Sequence, residues 1–161
     1  MKIINLFPLT IVEDTIILDE AERKILVTEI ERMKGLKHDN NSNFAWTGDT
    51  KGQEFLFSND LFKNLANKIS KSIINYLEVL EINCDLLDIY YQRSWATYTE
   101  TEQKINFHTH SQSNISFAYY LLKPPNSGGI IFRSNDLQNE IAKNIFTNSK
   151  LDKSLINKAN P

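Results

Sequence analysis

Two histidines one residue apart, His108 and His110, are the side chains of this sequence best suited to chemistry; they lie in the stretch Asn106-Phe107-His108-Thr109-His110. Alternate residues of a strand project from the same face, so an extended segment here directs both imidazoles to one side, where they can share a metal ion. Two ligands do not complete a site. The one other histidine, His38, stands far upstream between Lys37 and Asp39, in a polar stretch that reads as a solvated loop. Cys84 is the only cysteine, which excludes an intrachain disulfide and a Cys-rich zinc centre and fits a reducing, cytoplasmic compartment. Glu100, Glu102 and Asp88 read as solvated acids near this region, and Tyr90, Tyr91 and Tyr98 as ordinary strand aromatics.

Elements must hold that pair in place, and 161 residues suffice for one domain with a real core. The whole chain, 1–161, is read as a single domain, with an N-terminal strand and helical part over 1–83 and a β-rich part over 84–161. A formal net charge of -2 offers no basic footprint for a phosphate backbone, so nucleic acid is not an expected partner. No run approaches the roughly 20 apolar residues of a bilayer-spanning helix, and no membrane partner is expected. Met1 to Val12, interrupted by Asn5 and Pro8, lacks the pattern of a secretory signal and reads as a first strand.

Asp19 is placed to cap a helix with Ala21, Ile25, Leu26, Ile30 and Met33 near one face, acidic Glu20 and Glu22 in its first turn, and Gly35 as its stop. Lys37 to Gln53 is a long polar connection. Its isolated aromatics, Phe44 and Trp46, are expected to pack against a sheet edge or helix, with a lid over substrate as the alternative. Asn59 or Asp60 opens a second helix, whose Phe62, Leu65, Ile69, Ile73, Leu77 and Leu80 repeat at the spacing of a buried stripe. After Cys84 the composition turns β-rich. Strands are expected over Leu86–Tyr91, Trp95–Thr99, Ile105–His110, Ile115–Leu122 and Gly129–Arg133, with Lys123 to Gly128 forming a turn because prolines cannot donate to a central ladder. Asn135 to Pro161 supports at most a weak helix. Serial short strands suggest a sandwich or barrel.

The order of these pieces resembles the iron(II)- and 2-oxoglutarate-dependent oxygenases, and most closely a family of 2-oxoglutarate oxygenases whose members open with an Asn-Leu-Phe-Pro-like strand. Here the matching pieces are Asn5-Leu6-Phe7-Pro8, Trp95, Asn106 with His108 and His110, Ser113 through Tyr119-Tyr120-Leu121, and Ser127-Gly128-Gly129-Ile130-Ile131-Phe132. The resemblance implies an α+β fold: a double-stranded β-helix, or jelly roll, with two N-terminal helices packed on one sheet. It also implies an enzyme with Fe(II) as cofactor and 2-oxoglutarate as co-substrate, hydroxylating a small molecule or a protein side chain.

Carried over residue by residue, His108 matches the first metal ligand. His110 falls where many relatives place an aspartate, and an imidazole there would make the site more cationic than the two-histidine, one-carboxylate triad. Ser116, Ala118 and Tyr120 share one face of the following strand, so Ser116 and Tyr120 are the expected contacts to 2-oxoglutarate if that face is the barrel interior. Phe117 replaces a glycine usual in the family. Relatives continue into a strand with a distal histidine ligand and an arginine that pairs with the far carboxylate of 2-oxoglutarate; neither occurs before Pro161. The expectation is a barrel incomplete at its C-terminus, poorly active over these 161 residues, with unpaired edges that favour a homodimer. Arg133 reads as a strand-end surface charge. The alternative reading is a non-catalytic jelly-roll binding module. A cupin-like metalloenzyme is disfavoured because Ser111-Gln112-Ser113-Asn114 supplies no glutamate after His110.

Overall fold

The computed structural model describes residues 10–35 and 43–132. Most of the expected first strand, His38, Arg133 and the expected C-terminal helix lie outside the described residues. Val12–Lys123 form one compact unit. Within it, both helices and the β-rich segments contribute side chains to one apolar cluster.

The first helix, α1, spans Glu20–Gly35. The Asp19 carboxylate accepts the Glu22 N–H at 2.8 Å, satisfying one of the donors that a helix start leaves unpaired. Glu20 and Glu22 in the first turn and Arg32 and Lys34 in the last complement the helix dipole. Its buried stripe differs from the expected one: Leu26 and Met33 are buried and Ile30 is partly buried, whereas Ile25 is 52% exposed and Ala21 is exposed. At 3.6 residues per turn, Ile25 lies about 100° around the helix from Leu26, so a stripe centred on Leu26, Ile30 and Met33 leaves it in solvent.

The Asn59 side chain accepts the Leu61 N–H at 3.0 Å and starts a 3₁₀ turn, Asp60–Phe62, that runs into α2, Lys63–Val79. Phe62, Leu65, Ile69 and Leu77 are buried as the spacing predicts, while Leu80 lies past the helix end and is 37% exposed. Two bonds close that end. The Ile82 N–H reaches the Leu77 carbonyl at 3.0 Å and the Glu81 N–H reaches the Glu78 carbonyl at 2.9 Å, with Glu81 in the left-handed region at φ 58°, which is a Schellman cap without its usual glycine.

Of the five segments expected as barrel strands, a two-residue piece of one pairs in a sheet among the described residues: β2, Thr97–Tyr98, lies antiparallel to β1, Trp46–Thr47. Aromatic and β-branched composition favours extended chain, but a ladder also requires a partner held in register, and composition does not supply that. Around this pair the residue 43–57 segment is bonded to the 94–104 segment: the Gly48 N–H donates to the Ala96 carbonyl, the Leu56 N–H to the Ser94 carbonyl, and the Ser94 N–H to the Glu54 carbonyl, each at 2.9 Å. A Cβ on Gly48 would lie 3.1 Å from the Gln53 carbonyl oxygen, so the tight turn from Gly48 to Gln53 favours glycine there.

Trp46 is 3% exposed and packs with Met33 and Ala96. It is core rather than lid, while Phe44 stays exposed. Glu100, expected in solvent, pairs with Lys34, whose ammonium also lies 4.2 Å from the Tyr98 ring centroid, fastening β2 to α1. Tyr91 is likewise more than a strand aromatic. Its hydroxyl donates to the Ala66 carbonyl at 2.8 Å and lies 2.9 Å from the Ser70 hydroxyl, and its ring stacks on Phe57 at 5.4 Å. Tyr119 and Leu121 pack on the main core cluster, and the Tyr119 hydroxyl donates to the Ile16 carbonyl at 3.0 Å. The expected turn forms at Pro124–Ser127: the Ser127 N–H reaches the Pro124 carbonyl at 3.1 Å, with Pro125 pre-set for the turn and Asn126 at φ 61°. Among the described residues no helix is long and apolar enough to cross a membrane.

Candidate metal centre

Alternation along 93–97 decides what faces the two histidines. Ala96 is buried against Trp46 and Ser94 holds the 54–57 segment through its backbone and through its hydroxyl, which accepts the Phe57 N–H at 2.9 Å. Arg93 and Trp95 therefore project to the other side. There Trp95 stacks on His110, with ring centroids 5.6 Å apart and planes 18° apart. The Arg93 guanidinium carbon is 5.5 Å from the Trp95 ring centroid. The Ser113 hydroxyl donates to the Gln92 side-chain oxygen at 3.1 Å. Gln92 with Ser113 and Trp95 with His110 keep one antiparallel side-chain register, and a turn after His110 is closed by the Ser113 N–H on the His110 carbonyl at 3.1 Å.

On this face the two imidazoles meet. The Nε2 atoms of His108 and His110 are 3.0 Å apart, and the ring centroids 4.9 Å. His108 Nδ1 lies 2.9 Å from the Asn106 carbonyl. A carbonyl only accepts, so Nδ1 carries the proton and the Nε2 lone pair of His108 accepts the Nε2–H of His110, a proton that a metal ion shared by the two rings would displace; metal-binding histidines are commonly oriented by such a bond to Nδ1. Two nitrogens at ~2.1 Å from one divalent ion and at right angles to each other are about 3.0 Å apart, so the observed separation fits adjacent corners of an octahedral site. Both residues are exposed, leaving the remaining corners open to solvent, substrate or further ligands.

Ser116 and Tyr120 are also exposed, on the side opposite Tyr119 and Leu121, which face the core. The Lys123 ammonium lies 4.8 Å from the Tyr120 ring centroid. Among the described residues neither Ser116 nor Tyr120 is hydrogen-bonded to His108 or His110, and no group of three His, Cys, Asp or Glu side chains is placed to hold an ion. The structure thus brings together the two expected metal ligands, with Ser116 and Tyr120 on an exposed face of the segment that follows. Sequence reasoning named Trp95 as a strand residue without seeing that it would stack on His110. Alternation with Ala96 places Arg93 and Trp95 on one face, but pairing that face with His110 needs the tertiary register. No protein-family model, curated protein or solved structure matches the chain.

Proposed function

We propose that this chain is a 2-oxoglutarate- and Fe(II)-dependent dioxygenase domain of jelly-roll type, hydroxylating a small molecule or a protein side chain. The single observation that carries the reading is the 3.0 Å separation of the two Nε2 atoms, on a pair whose first member is held in the ligating tautomer by the Asn106 carbonyl. His108 and His110 would hold the iron. When bound, Fe(II) supplies the coupled chemistry in which 2-oxoglutarate loses carbon dioxide to give succinate, one oxygen atom of O₂ enters succinate and the other enters a C–H bond of the substrate.

The protein's own part is to hold two imidazoles on one face, able to ligate once the hydrogen between their Nε2 atoms is displaced, and to bind the far carboxylate of 2-oxoglutarate. Tyr120 and Ser116 offer hydroxyls on an exposed face, and the Lys123 cation beside Tyr120 adds favourable charge for a dianionic co-substrate.

The test is anaerobic binding of Fe(II) to the full chain, followed by binding of 2-oxoglutarate with and without the metal. The expected result is Fe(II) binding that His108→Ala and His110→Ala each weaken by about 100-fold or more, since losing a ligand exceeds the 10- to 100-fold typical of losing its supporting partner. 2-Oxoglutarate should then bind only to the metal-loaded chain. Failure to bind Fe(II) refutes the proposal. Metal binding without any affinity for 2-oxoglutarate would favour the non-catalytic binding module instead.

A further inference from the structure

The two imidazoles are oriented by different means. His108 is fixed by its Nδ1 bond to the Asn106 carbonyl. Apart from the Nε2 contact with His108, His110 makes no side-chain hydrogen bond among the described residues; the His108 ring meets it edge-on, and the ring stacked on its face is Trp95, 18° from parallel. We infer that Trp95 is a positioning residue that holds the His110 imidazole, before any metal arrives, where its Nε2 meets the Nε2 of His108. This rests on the reading of the pair as a metal centre.

Trp95 is well placed to do this because its backbone sits between two anchored neighbours. Ser94 is tied to Glu54, Leu56 and Phe57, and Ala96 accepts the Gly48 N–H while packing under Trp46. Arg93, on the same face, lies 5.5 Å from the indole, a cation–π distance that restrains the ring further. An indole fixed in this way offers a flat, offset-stacking surface to an imidazole that would otherwise sample several rotamers in solvent. Ordering one such side chain on binding costs enough to weaken affinity about two- to tenfold, and the stack removes that cost in advance.

Two measurements on the full chain test the inference. In the metal-free protein, the His110 ring protons should resonate upfield of solvated values because they lie over the Trp95 ring, and Trp95→Ala should abolish the shift. In titrations with Ni(II), a stand-in for Fe(II) that does not oxidise in air, Trp95→Ala should bind about two- to tenfold more weakly. Trp95→Phe, which keeps a stacking ring, should stay within about twofold of the native chain. Ni(II) should also quench the Trp95 part of the tryptophan emission, a component absent from Trp95→Phe, while Trp46 persists. An unshifted His110 ring, or Trp95→Ala binding Ni(II) as tightly as the native chain, overturns the inference. If the ring shift is present and lost in Trp95→Ala but the native chain binds no Ni(II), the hold of Trp95 on His110 stands and the metal-centre reading falls.

Discussion

Leu26 and Ile25 are neighbours in α1 with opposite fates, and truncating each to alanine isolates what the tertiary packing contributes. Leu26 is fully buried among Leu18, Phe62, Leu65 and Ile69. Its truncation removes three buried carbon groups, worth about 0.8 kcal/mol each or ~2.4 kcal/mol in transfer free energy. The cavity left behind raises the cost to about 3–4 kcal/mol; the partly buried Ile16, Ile30 and Tyr119 around the cluster can close in and keep it below the top of the known range. Ile25 is 52% exposed. Its truncation gives up about half the transfer energy and recovers ~0.4 kcal/mol of helix propensity, for a net loss under about 1 kcal/mol. Urea unfolding followed by far-ultraviolet circular dichroism, with the midpoint shift read at constant slope, separates the two. Equal losses for Ile25→Ala and Leu26→Ala would refute the placement of the buried stripe, and with it the packing of α1 on α2.

Two further outcomes follow from local geometry. Glu81 occupies the left-handed position of the α2 cap at φ 58°, so Glu81→Gly should stabilise the chain by about 0.5–1 kcal/mol, a rise in Tm of about 1–4 °C; an unchanged or lower Tm in a thermal melt would count against the Schellman assignment. Burial holds the Tyr119 phenol above its ordinary value, with Arg23 opposing and Glu22 reinforcing the shift. The folded state therefore keeps this proton more tightly than the unfolded chain. Its contribution is fully present below the unfolded pKa of about 10 and is lost as pH rises through the higher folded value. Stability measured from neutral to alkaline pH should fall more steeply in the native chain than in Tyr119→Phe once pH passes the unfolded value of about 10, and parallel curves would contradict the burial of the Tyr119 phenol.

Local signals were legible residue by residue. Asp19, and either Asn59 or Asp60, read as helix-starting residues because short polar side chains compete for free backbone donors; the structure bonds Asp19 at the start of α1 and Asn59 at the 3₁₀ turn that leads into α2. The prolines at 124 and 125 read as a turn for want of a backbone donor, and the turn is there. The stripe of α2 was readable because apolar residues from Phe62 to Leu77 recur every three or four positions, whereas in α1 Ile25 and Leu26 are adjacent and equally apolar, so only the position of α2 and Leu18 decides which is buried. The pairing of β1 with β2 joins residues 46–47 to 97–98 across the whole of α2, a contact that no local pattern encodes.

The candidate site divides in the same way. Sequence alone placed His108 and His110 on one side of the chain, because a one-residue spacing along an extended backbone leaves them no other arrangement. The tertiary structure alone decided that Trp95 lies flat on His110 and that Tyr119, rather than Tyr120, turns toward the core. Those choices depend on which face of each segment the helices cover, and burial is a property of the packed chain rather than of any stretch within it.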